Sequence, residues 1–189
     1  MFFANVPEAK IEILRSALAE LGLGEPQIGD NVVACPGTST CRLGITSSTI
    51  LAPKLNGGSQ DLKIRVSGCH NGCAQPEAGD IGIYGEGKRM HGKLVPHYQM
   101  YFGGNAMAGG ALAIKGPSIP AARIETAVAR VKSAHLANGE AGESFSSWIR
   151  RVGKEYLTGV LAELADVKPE ELDSVLRDHG KDGDFKVLQ

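Results

Sequence analysis

Leu62-Lys63-Ile64-Arg65-Val66-Ser67-Gly68-Cys69-His70-Asn71-Gly72-Cys73 is the stretch on which the fold turns. Its first five residues alternate apolar and charged, the pattern of a strand with one face buried. The strand runs straight into Ser67-Gly68 and a pair of cysteines, so a sheet delivers two thiols at its rim. The same arrangement occurs earlier in the chain. Asn31-Val32-Val33-Ala34 is a short apolar strand, followed by Cys35-Pro36-Gly37-Thr38-Ser39-Thr40-Cys41 with Pro36-Gly37 as a turn signal. All four cysteines of the protein lie in these two runs. Loops at strand ends are where a rigid scaffold leaves side chains free to specialise.

Nothing in the composition asks the cysteines to hold the fold up. A chain of 189 residues buries roughly 70% of its unfolded surface without staples. A net charge of -1 gives no support to nucleic acid or membrane as a partner. Glu8 and Lys10 follow the first residues too soon for a secretory leader, and no apolar run approaches the ~20 residues that span a bilayer. The expected setting is cytoplasmic and reducing, where paired cysteines bind metal more often than they form disulfides. Glycine is concentrated around the cysteines and between Gly79 and Gly116, which suggests loops where backbone approaches a ligand closely.

Around this nucleus the pattern is mixed. Residues 5–21 read as a helix with Pro7 in the first turn and Ile11, Leu14, Leu18 and Leu21 on one face, stopped by Gly22 and Gly24. Phe2 and Phe3 read as the end of a strand, so the chain starts abruptly and is expected to be a fragment of a longer protein. Residues 43–55 form a helix in this reading, which puts Cys41 near a helix N-terminus that favours thiolate. Residues 80–84 and 94–102 read as a hairpin joined by a polar turn over 86–92, with Gly103-Gly104-Asn105 closing it. Helices are expected at 119–136 and across 144–176, the second carrying Phe145 and Trp148 as its core. Residues from 178 onward read as a loosely held end. The result is an α+β fold in which a mixed or antiparallel sheet is covered by helices. A domain over 1–137 bears the cysteines, and a C-terminal helical arm and tail occupies 138–189.

The spacing is C-x5-C, then 27 residues, then C-x3-C. Structural zinc sites favour two to four residues between paired ligands. A [4Fe-4S] cluster takes four thiolates around a larger cube and tolerates longer spacings. Spacing alone leaves three readings open: a cluster, zinc, and cysteines without metal.

The runs 34–41 and 66–76, with Gly79-Asp80-Ile81-Gly82-Ile83-Tyr84-Gly85 and Tyr98-Gln99-Met100-Tyr101-Phe102-Gly103-Gly104-Asn105, resemble the C-terminal half of the sirohaem-dependent nitrite and sulfite reductases. The resemblance also takes in residues 5–8 and 143–153 and extends to about residue 160. It implies that Cys35, Cys41, Cys69 and Cys73 ligate a [4Fe-4S] cluster. It implies further that Cys73 is shared with the sirohaem iron, coupling two redox centres for a six-electron reduction of sulfite or nitrite. A missing N-terminal half, an electron donor (ferredoxin or flavoprotein) and a small anionic substrate are the implied partners. His70 departs from the family, which often has proline there. The runner-up reading is a small [4Fe-4S] electron-transfer or binding protein without sirohaem, and a zinc module is a third.

Arg42, beside a cluster cysteine, and Asn71 and Gln75, which flank Cys73, are the candidate cofactor contacts. Lys54, Lys63, Arg65, Lys88 and Arg89 read as solvated charges. His91 and His97 read as surface or hydrogen-bonded histidines without an assigned role. No residue stands out as catalytic, and nothing separates sulfite from nitrite.

Overall fold

A computed structural model describes residues 3, 5–23, 29–56, 58–106 and 110–187. Its centre is one five-stranded sheet in sequential order: β1 (Asn31–Ala34), β2 (Lys63–Ser67), β3 (Ile81–Met90), β4 (Lys93–Phe102) and β5 (Ile114–Pro120). The first three strands are parallel and the last two antiparallel, so the sheet is mixed, as the alternation and turn signals imply. Parallel neighbours need a crossover, and the two crossovers here carry the cysteines.

The core lies on one face of the sheet. Ile64, Val66, Ile81, Ile83, Met100 and Phe102 are fully buried there. Helices α3 (Ile124–Asn138) and α4 (Phe145–Ala165) cover them, and Phe145, Trp148 and Ile149 of α4 join the same apolar cluster. The arm is thus packed into the core of the sheet. Gly153, at φ 77° and ψ 173°, divides α4 into two helical pieces; a left-handed φ is a conformation glycine adopts at little cost. On the opposite face Tyr84 and Tyr101 pack at 5.8 Å between ring centres.

Several boundaries differ from the sequence reading for identifiable reasons. The hairpin turn is only His91-Gly92, with φ values of 48° and 83°, the pair of positive angles that matches the twist of two strands. That short turn lets residues 86–90 stay in the ladder despite their polarity. β5 escaped the sequence reading because Gly116, Pro117 and Pro120 break its pattern; as an edge strand it tolerates prolines. Its last residues take Ile119 and Pro120 from the expected helix, which starts at Ile124. The helix expected over 43–55 shrinks to α2 (Ser48–Leu51) and a 3-10 turn, Ala52–Leu55. The one expected across 144–176 ends at Ala165, with a separate 3-10 turn at Pro169–Ser174. Near the N-terminus a 3-10 turn, Glu8–Lys10, leads into α1 (Ile11–Glu20). Phe3 lies outside any strand, while Phe2, Gly24 and Gly57 fall outside the described residues.

Residues 178–187, expected to be loose, are docked. Asp178 and Phe185 are buried, and the Phe185 N–H donates to the Leu176 carbonyl at 2.8 Å. The apolar surface of Phe185 meets the hairpin near Gly87. Burial of these side chains against distant strands holds the segment without any periodic pattern of its own.

Candidate metal centre

β1 and β2 are parallel neighbours, with Ala34 opposite Val66, and each runs directly into a cysteine loop. The Cys35 N–H still donates to the Val66 carbonyl at 3.0 Å, so the first thiol leaves the sheet at the last rung of the ladder. The loops then lock together. The Gly68 N–H donates to Cys35 Sγ at 3.1 Å, while the Ile45 and Thr46 N–H groups donate to the Gly68 carbonyl at 2.8 and 2.9 Å. A Cβ on Gly68 would stand 2.6 Å from the Gly37 Cα, so this backbone-to-backbone approach requires glycine.

Hydroxyl groups fix each loop from within. Ser48 Oγ donates to the Cys35 carbonyl at 2.7 Å and lies 3.6 Å from its sulfur. Thr38 Oγ1 and Ser47 Oγ are 2.9 Å apart, and the Cys41 N–H donates to the Gly37 carbonyl at 3.0 Å. In the second loop the Ala74 N–H donates to Ser67 Oγ at 3.0 Å, which ties the residue after Cys73 back to the end of β2. Serine and threonine are suited to such local bonds with loop backbone. Ser47, Ser48, Ser67 and Thr46 were not singled out in the sequence; their nearness to the cysteines was the available signal.

All four cysteines are free: Cys69 buried, Cys35 half-buried, Cys41 and Cys73 exposed. Burial pushes the Cys69 thiol above its ordinary range, the Asn71 N–H opposes that by bonding to the sulfur, and Cys35, Cys41 and Cys73 each add repulsion. Among the described residues no group of three or more His, Cys, Asp or Glu side chains is spaced to hold a metal ion. In kind, four free thiols, two of them receiving backbone N–H bonds, match the donor set of an iron-sulfur cluster. One expectation fails here. Cys41 is not at a helix N-terminus, because residues 45 and 46 turn their N–H groups to Gly68 and α2 starts only at Ser48.

No protein-family model matches the chain. Over 81% of its length it is 30% identical to the NADPH sulfite reductase hemoprotein beta-component of Methylorubrum populi. Over the same share it is 26% identical to the ferredoxin sulfite reductase 1 of Mycolicibacterium paratuberculosis. The chain belongs to the nitrite and sulfite reductase family. It spans 26% and 31% of those two relatives, about a quarter to a third of their length. The solved structure of Mycobacterium tuberculosis NirA shares the fold over 80% of this chain and 31% of its own, with a TM-score of 0.65 and 24% identity.

The other sites singled out in this family member are dispersed. Arg42 and Asn71 are exposed and, with Cys41, His70 and residues 181–187, line a 1110 Å³ cavity. Gln75 is exposed, at φ 58°, and starts the short turn Pro76–Ala78; it is not among the residues lining the cavity. His91 Nε2 donates to the Val167 carbonyl at 2.7 Å, and buried His97 Nδ1 donates to the Val95 carbonyl at 3.1 Å. Both histidines hold backbone, in line with the hydrogen-bonded reading. Burial lowers the His97 pKa below the ordinary histidine value. Among the described residues no helix is long and apolar enough to cross a membrane.

Proposed function

We propose that this chain is the cluster-bearing portion of a sirohaem-dependent reductase that carries out the six-electron reduction of sulfite or nitrite. Cys35, Cys41, Cys69 and Cys73 hold a [4Fe-4S] cluster, and Cys73 is the sulfur common to cluster and sirohaem. The observation that carries the reading is the set of four free thiols on two interlocked loops at the ends of adjacent parallel strands. Family membership supports it, because the relatives are named sulfite reductases.

Bound together, the two centres would supply electrons one at a time to a small oxyanion. The chain's own residues do the holding. Backbone N–H groups of Gly68 and Asn71 donate to the Cys35 and Cys69 sulfurs, which stabilises thiolate and tunes the potential of whatever iron the sulfurs bind. Arg42 and Asn71 face the cavity beside Cys41 and serve as polar contacts to the macrocycle, with Gln75 beside Cys73. The remaining part of the enzyme supplies further macrocycle and substrate contacts, and a ferredoxin or flavoprotein delivers electrons in the cytoplasm. Residues 1–137 form the cofactor-binding domain in this reading, and 138–189 its arm and tail.

Anaerobic purification followed by iron and acid-labile sulfide analysis tests the proposal. We expect four of each per chain and a broad visible absorption, with haem bands added when sirohaem and the rest of the enzyme are supplied. Colourless protein with stoichiometric zinc, or a cluster that never acquires haem bands, would overturn it. Cys73→Ser should abolish haem coupling and deplete the cluster; retention of both would refute the shared-sulfur assignment.

A further inference from the structure

Asp178 sits in the C-terminal segment, far along the chain from either cysteine pair, yet it is only 6% exposed. Its Oδ2 accepts the Ser47 N–H at 2.7 Å, while its Oδ1 has no hydrogen-bond partner. Burying a carboxylate that is only half satisfied costs stability. An apolar residue would fill the position at lower cost, so the bond to Ser47 calls for a reason beyond packing.

Ser47 is the middle one of three residues that brace the first cysteine loop from behind. The Thr46 carbonyl accepts the Thr38 N–H at 3.1 Å, Ser47 Oγ meets Thr38 Oγ1 at 2.9 Å, and Ser48 Oγ holds the Cys35 carbonyl at 2.7 Å. Thr38 lies between Cys35 and Cys41. Anything that fixes Ser47 therefore fixes the run that spaces these two thiols. Asp178 and residues 181–187 also line the cavity that Cys41 and Arg42 border, so one stretch of chain both braces the loop and borders the site.

We propose that Asp178 is a positioning residue for the first cysteine pair: through Ser47 it sets the geometry of the loop carrying Cys35 and Cys41, which makes the C-terminal tail a working part of the thiol site. The part of this inference that concerns the cluster rests on the function proposed above. The part that concerns the loop does not.

Two arms on the full chain keep the two apart. In metal-free protein, amide exchange at Ser47 and alkylation of each cysteine, followed by mass spectrometry, read the loop directly. Asp178→Ala should speed Ser47 exchange roughly tenfold or more, as expected for losing a hydrogen bond to a charged group, and should speed Cys35 alkylation with it. Asp178→Asn retains an acceptor oxygen and should restore most of both. Thr38→Val should accelerate Cys35 alkylation while leaving Ser47 exchange slow, and its effect should be non-additive with that of Asp178→Ala. Exchange that rises evenly across all strands, with no rescue by asparagine, would overturn the proposal by showing a general loss of stability.

In cluster-loaded protein, Asp178→Ala should shift the reduction equilibrium about tenfold, 59 mV for a one-electron couple, with the cluster retained. A loaded variant with an unchanged midpoint potential would also overturn it. Failure of the chain to take up any cluster would count against the proposed function, and the metal-free arm would still decide on Asp178.

Discussion

Helix α1 shows a clear apolar stripe in the sequence, yet none of its residues is buried: Ile11 on that stripe is 41% exposed, and Leu21, just past the helix end, 73%. Residues 167–176 read in the sequence as the end of a long helix and those from 178 onward as a loose end, yet Val167, Leu172, Val175, Leu176 and Phe185 are all buried outside any α-helix. The segment wraps the β3–β4 hairpin. Val167, Leu172, Val175 and Leu176 cluster with Val95 and Met90, and the His91 ring ties the turn to the Val167 carbonyl. The contrast teaches that periodicity reports which face of an element can be buried, whereas burial itself is decided by what lies opposite in space. It also reverses the functional weight of the two ends, since the C-terminal one reaches the cysteine loops.

Truncation gives the sharpest break of that contrast. Ending the chain at Asp166 strips five buried apolar side chains and the Asp178 bond, at a cost on the order of 5 kcal/mol or more. Starting it at residue 24 should cost under about 1 kcal/mol. Urea unfolding followed by Trp148 fluorescence measures both. Equal losses at the two ends would show that α1 is as firmly packed as the tail.

The tail also carries a pH dependence. Burial lowers the His179 pKa, and the neighbouring Lys54 ammonium lowers it further, while Asp178 and Glu125 act in the opposite sense. Its ring stands 6.2 Å from that of Tyr98 on β4. With the folded pKa below the ordinary value of 6.5, the unfolded chain binds the proton more readily. The contribution is therefore fully present above pH 6.5 and is lost as pH falls through that value toward the folded pKa. Unfolding curves between pH 7.5 and 5.5 should show declining stability, and His179→Gln should flatten the decline. An unchanged slope in that variant would assign the acid sensitivity to buried His97, whose shift has the same sign.

These contrasts also mark what the sequence carries. The alternation at 62–66 and the apolar run at 31–34 were legible because a half-buried strand writes its own period. The four thiols stood out because cysteine occurs nowhere else in the chain. β5 was illegible, since proline and glycine on an edge strand erase the pattern. The late start of the 43–55 helix was illegible for another reason: the Gly68 carbonyl claims the N–H groups of residues 45 and 46, a contact set by the meeting of two loops. Asp178 lies furthest from reach, because its partner Ser47 is 131 positions away and no local rule links them. Local rules thus placed the cysteines, while the hydroxyls and the carboxylate that hold them needed the fold.

The smallest expected effect tests the N-terminal side of the comparison by itself. Ile13 is the most exposed large apolar residue within α1, at 69%, so Ile13→Ser removes little buried surface. Serine is also only slightly poorer than isoleucine as a helix former. The change in unfolding free energy should stay within about 0.5 kcal/mol, the range of ordinary surface substitutions. A loss above about 1 kcal/mol would mean that the Ile13 face of α1 is covered in solution, and the difference between the two ends would then lie in which partner each one meets.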